Sequence, residues 1–99
     1  MIFYKRHSEH NGILIAACDE EISGKTLKQG EVEFFVNPRF YGKKKISEAQ
    51  LIEILKQCTS ANLVGKKAVE AGVKTGIIEK QNIKKISGIP HAQFVLVTV

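Results

Sequence analysis

The chain has 99 residues, a formal net charge of +5, 43% hydrophobic and 25% charged residues. That balance excludes a disordered chain and predicts a single domain spanning 1–99 with one modest core. The cationic excess favours a polyanionic partner. The absence of any apolar run near 18 residues, or of a basic start leading into an apolar signal core, predicts a soluble cytoplasmic protein with no membrane contact.

The first elements are β-like. Residues 1–5 (MIFYK) and 13–18 (ILIAAC) are apolar runs separated by Asn11-Gly12, a dipeptide that readily takes positive φ at both central turn positions. This predicts an antiparallel hairpin. A polar connection follows over 19–30, and Glu31–Val36 then alternates as a half-buried strand, with Val32, Phe34 and Val36 on one side. Asn37-Pro38 ends it, since proline cannot donate to a ladder.

The clearest helix starts at Ser47. Ser47 and Gln50 have the spacing of a capping box, Ile46 and Leu51 that of a hydrophobic staple, and Leu51, Ile54, Leu55 and Cys58 form one apolar stripe. Beyond Ser60, the small residues Ala61, Gly65, Ala68, Gly72 and Gly76 recur at three- and four-residue intervals. They predict a second helix with Asn62 as its N-cap, a break near Thr59–Ser60, and Gly76 as the left-handed stop. A short strand near 83–86 and a final strand over 91–99, uncharged and apolar on both faces, complete the reading. The expected fold is α+β: a single-layer mixed or antiparallel sheet of about five strands with the helix–break–helix segment 47–75 packed on one face.

Several motifs fail on inspection. Gly24-Lys25-Thr26 lacks the upstream glycine and following helix of a phosphate-binding loop. His7 and His10 have no further ligands at metal-site spacing, and Asp19, Glu20 and Glu21 read as a solvated loop. Cys18 and Cys58, outside any C-x-x-C, read as buried reduced thiols. No metal, cofactor or catalytic set is expected.

The strongest functional signal is the run 39–45 (RFYGKKK), where four cations interleave with Phe40 and Tyr41. Arg39, Lys43, Lys44 and Lys45, joined by Lys66 and Lys67, would contact phosphates, and Tyr41 would stack on an unpaired base. The glycine follows the aromatics, so the run does not match the common RNA-recognition motif. His91 and Gln93, two residues apart at the mouth of the last strand, form either a ligand site or a clamp on the loop 88–90.

The pieces CDEEISGKT (18–26), FYGKKK (40–45), ANLVGKKAVEAG (61–72) and SGIPHAQ (87–93), in this order and spacing, resemble a small archaeal family known as domain of unknown function 424. The resemblance covers nearly the whole chain and implies an archaeal, cytoplasmic, single-domain α+β protein, with no catalytic residue to transfer. It implies that Asn62, Gly65, Gly88, Pro90, His91 and Gln93 belong to one shared site or structural knot. The leading functional expectation is a non-catalytic, translation-linked RNA- or ribonucleoprotein-binding module. The alternatives are a small enzyme or ligand binder around His91, Gln93 and Asn62, and a protein–protein adaptor using the edge of Glu31–Val36.

Overall fold

The computed structural model describes residues 1–97. Strands β1 (Ile2–Glu9) and β2 (Gly12–Asp19) form the expected hairpin, in register from Ile2 opposite Asp19 to Glu9 opposite Gly12. The loop is His10–Asn11 and Gly12 opens β2, so the predicted turn is shifted by one residue. Ser87 is the only non-glycine with positive φ among the described residues, so Asn11 does not use the conformation expected of it. Thr59 stands so close to Gly12 that a Cβ there would run into its side chain.

After a 3-10 turn at Glu20–Ile22, β3 (Thr26–Gln29) and β4 (Val32–Phe35) pair as a separate small hairpin. A one-turn helix α1 (Pro38–Tyr41), capped by the Asn37 side chain, leads to β5 (Lys44–Ile46), which pairs with β1. Helix α2 (Glu48–Leu55) carries the predicted capping box in full, with Ser47 and Gln50 satisfying each other's backbone amides. Ile46 and Leu51 are both buried in one cluster, as the staple requires.

The segment read as a helix break is β6 (Ser60–Val64), which runs parallel to β2 through the middle of the sheet. Ala61, Leu63 and Val64 are buried there, on opposite sides, so this short run serves two cores at once. Asn62 lies in the centre of that strand and caps no helix. Its cap-like identity misleads because short polar residues also suit a strand when a neighbouring element supplies their hydrogen bonds. Helix α3 (Lys66–Thr75) ends at Gly76 in the left-handed conformation, as expected. Strands β7 (Lys84–Ile86) and β8 (Ile89–Val95) close the main sheet, whose order is β5-β1-β2-β6-β8-β7.

The sheet is mixed, with six strands, and is covered on both sides. Ile15 and Ala17 of β2 face α2 and α3, packing with Leu51, Leu55, Ala68, Val69 and Ala71. Ala16 and Cys18 face the other way, against Ile22, Leu27, Val36 and Tyr41. This period-two split makes ILIAAC continuously apolar. The strand expected over Glu31–Val36 thus belongs to a second layer, where β4 leaves Val32 and Phe35 exposed. The final strand is interior as predicted, between β6 and β7, but is not buried on both faces: Ala92 is buried while Gln93 is exposed and Val95 is 68% exposed. Residues 98–99 of that predicted strand lie outside the described residues.

Gly42 holds the turn between α1 and β5 at φ +84°, and a Cβ there would collide with the Tyr4 carbonyl oxygen. Gly42→Ala therefore combines backbone strain of about 1–3 kcal/mol with a backbone clash. A clear fall in melting temperature is the expected outcome in thermal denaturation; an unchanged midpoint would contradict the close approach.

Candidate functional site

Two regions collect the residues singled out by sequence. The first is built around the start of α3. Gly65 precedes this helix at φ +105° and has no side chain with which to cap it. The cap comes from another strand: Asp19, at the end of β2, accepts from the Lys67 amide at 3.0 Å and the Ala68 amide at 2.9 Å. Asp19 is 5% exposed, not the solvated acid its acidic neighbours suggest. A Cβ on Gly65 would lie 2.5 Å from the Asp19 Cγ, so only glycine lets the carboxylate approach. The Gly65 amide in turn donates to the Pro90 carbonyl at 2.9 Å. Burial raises the Asp19 pKa above its usual 3.8; the two amide hydrogen bonds pull in the opposite direction. Burial, then the Asp19 charge, pushes the Cys18 thiol to about 11, and both cysteines are free.

On the face opposite α2 and α3, Asn62 joins α1 to β8. The Tyr41 hydroxyl donates to Asn62 Oδ1 at 2.8 Å, and His91 Nε2 lies 3.1 Å from the same oxygen. With Nε2 protonated, the neutral imidazole donates to Asn62 as well. Phe34 of the small hairpin tilts against the His91 ring, with centroids 5.0 Å apart. Burial, then the neighbouring Lys84, lowers the His91 pKa below 6.5. Gln93 pairs with Asn62 across the strands but is exposed. Gly88 sits at the β7–β8 turn with φ +80°. Asn62 and His91 therefore meet directly, Gly65 and Pro90 meet through their backbones, and Gly88 and Gln93 stand at the periphery.

The cations divide. Arg39, Lys43 and Lys44 line a groove of about 550 Å³ with Lys5 and Arg6, where β5 leaves the edge of β1; Tyr4, Pro38 and Gly42 complete its lining. No carboxylate lines it. Lys5 is steadied by donating to the Arg39 carbonyl at 3.0 Å, and Lys44 lies 6.0 Å from the Tyr4 ring centroid. Lys45 points to the other side of β5 and pairs with Glu20 at 2.8 Å, which lowers the Glu20 pKa. Lys66 lines a different cleft with Lys85 and Pro90, beside Asp19 and Glu21. The expected single patch is thus two, with an acidic turn between them.

Tyr41 is 2% exposed, and its ring packs in the core beside Cys18 and Val64. A ring sealed on both faces offers nothing to a base, so Tyr41 is not a stacking residue. Phe40 is half-buried and stacks on His7, centroids 4.9 Å apart. Lys5 and Arg6 were missed because in sequence they belong to an ordinary strand; only the pairing of β5 with β1 brings them beside Arg39.

An α+β fold, its mixed six-stranded sheet covered on both sides and its cations divided between separate clefts, is the class this geometry defines. The chain belongs to the family described as Protein of unknown function (DUF424), whose family model matches residues 6–97. The crystal structure of an uncharacterized conserved protein from Methanopyrus kandleri is similar in fold, with a TM-score of 0.78 and 20% identity over 99% of this chain and 95% of that one. No curated protein matches the chain.

Asp19→Ala leaves two helix amides without acceptors and is expected to cost about 2–3 kcal/mol in urea denaturation. The loss should persist at all salt concentrations, because the bonds are local; a cost below about 0.5 kcal/mol would contradict the capping role. His91 sets a pH dependence. Its folded pKa is depressed, so the unfolded chain binds the proton more readily. Its contribution is present above 6.5 and lost as pH falls through the lower folded value. Melting curves should shift downward over that window in the wild type and less steeply in His91→Gln.

Proposed function

We propose that the protein is a non-catalytic RNA-binding module that holds a phosphate backbone along the β1–α1–β5 edge. The supporting observation is the groove itself: Lys5, Arg6, Arg39, Lys43 and Lys44 converge on it and no lining carboxylate neutralises them. Neutralised phosphates release counterions, which makes such a surface attractive to a polyanion without base readout. Burial of Tyr41 removes the expected stacking platform, so binding should depend weakly on sequence. Lys45, held by Glu20, Lys66, which lines the cleft beside Asp19 and Glu21, and Lys67, whose charge acts on Asp19 and Glu20, are outside this contact set. Two free cysteines suit the reducing, cytoplasmic setting in which such a module would act. A ligand site at His91 has less support, because the Asn62 oxygen that would orient a ligand already accepts from Tyr41.

Titration with a mixed-sequence single-stranded RNA at rising salt tests the proposal. The logarithm of the association constant should fall linearly with the logarithm of salt, by about 0.7 per phosphate neutralised. Arg39→Ala and Lys43→Ala should each flatten that slope by about one contact, whereas Lys66→Ala should leave it unchanged. Salt-independent affinity would end the reading.

A further inference from the structure

On the opposite edge of the sheet, α3 and β7 enclose a second groove, of about 620 Å³, lined by Lys66, Val69, Glu70, Val73, Lys74, Lys80, Ile83, Lys85 and Pro90. Its character differs from that of the cationic groove beside β5. Val69, Val73, Ile83 and Pro90 form an aliphatic floor, and the charges stand around it. Glu70 is matched by Lys74, which also holds Glu48 of α2 at 2.8 Å. Lys66, Lys80 and Lys85 are exposed and take part in no ion pair among the described residues. One side of the groove is also a short sheet edge, since β7, three residues long, is the outermost strand and pairs in the sheet with β8 alone; just past it the Ser87 amide donates to Gln29 Oε1 of β3 at 2.8 Å. Along β7 the side chains alternate: Ile86 packs into the cluster on the hairpin side, and Lys85 reaches the groove on the α3 side.

We propose that this groove docks an extended acidic segment of a partner protein. The segment adds as a strand to the outer edge of β7 and lays alternate apolar side chains on Val69, Val73, Ile83 and Pro90. Carboxylates at the rim meet Lys66, Lys80 and Lys85. Strand addition satisfies the open backbone edge, the aliphatic floor rewards apolar side chains, and the unmatched lysines select for acid. A phosphate backbone alone would leave the aliphatic floor uncovered, and no aromatic ring lines it for a base to stack on. A second copy of this chain, itself carrying +5, would bring more lysines to a site already rich in them. With RNA on the β5 edge and an acidic protein segment on the β7 edge, the module would link the two.

A fluorescein-labelled peptide of alternating leucine and glutamate, about eight residues long, is the probe, with an all-glutamate peptide of the same length as control. Fluorescence anisotropy should show saturable binding of the leucine–glutamate peptide, at least about tenfold tighter than the control. Amide shifts in the full-length protein should centre on residues 69–74 and 83–86. The double variant Lys80→Glu, Lys85→Glu changes only exposed side chains, so it should keep the wild-type melting temperature and the RNA salt slope while losing the peptide. The proposal is overturned by equal affinity for the two peptides, by shifts centred on residues 39–44, by displacement of the peptide by mixed-sequence RNA, or by no saturable binding. Octanoate saturating the groove when the peptide does not would also overturn it. The RNA reading is tested separately by its own salt titration, so either can fail alone.

Discussion

The fold depends on one carboxylate reaching across from a strand to cap a helix. Asp19 ends β2, and its two oxygens accept from the amides of the second and third residues of α3. A helix whose own cap position is glycine has no side chain to satisfy those donors, and here a residue from elsewhere in the fold does so. The geometry requires that glycine, because any Cβ at Gly65 would occupy the space of the Asp19 carboxylate. The contact also aligns the β2–β6 parallel pair, since β2 supplies the acceptor and β6 runs directly into the helix it caps. Burial works against the charge and raises the Asp19 pKa, while the two amide hydrogen bonds favour the charged form.

A second polar link, Tyr41–Asn62–His91, joins the layers on the other face. Placing an asparagine in the central strand of a sheet is costly unless its amide is satisfied. Here its oxygen serves α1 and β8 together, and so locates a one-turn helix too short to be stable by itself. The residues that the family likeness grouped therefore make two adjoining structures: a helix cap closed by Gly65 and Pro90, and an inter-layer hydrogen-bond pair at Asn62 and His91. In both, the acceptor oxygens are already engaged.

Charge is distributed by the same architecture. The sheet centre is apolar apart from the Asn62 link, and the cations of the two grooves stand at its edges, against different surroundings. Beside β5 the groove is cationic with no lining acid, whereas beside β7 the lysines rim an aliphatic floor. The acidic turn following β2 separates the two by holding Lys45 through Glu20. A net charge of +5 thus becomes two sites of unlike chemistry.

Local signals were legible wherever neighbours in sequence do the work. The capping box at Ser47, the left-handed stop at Gly76 and the β1–β2 hairpin all rest on residues a few positions apart, and all three are present. The segment 60–64 was not legible, because small and polar residues are compatible with a helix start and with a central strand. Only its pairing with β2 and β8 decides between them. Tyr41 and Asp19, both expected to face solvent, are buried for the same reason: a ring and a carboxylate are buried or exposed according to what packs against them. The sequence by itself determined the α+β class, the cationic balance and the ends of the best helices, which are properties of composition and short-range periodicity. Tertiary structure alone decided that β6 is a strand, that Asp19 caps a distant helix and that the lysines divide between two edges, because each depends on contacts between residues that the chain holds far apart.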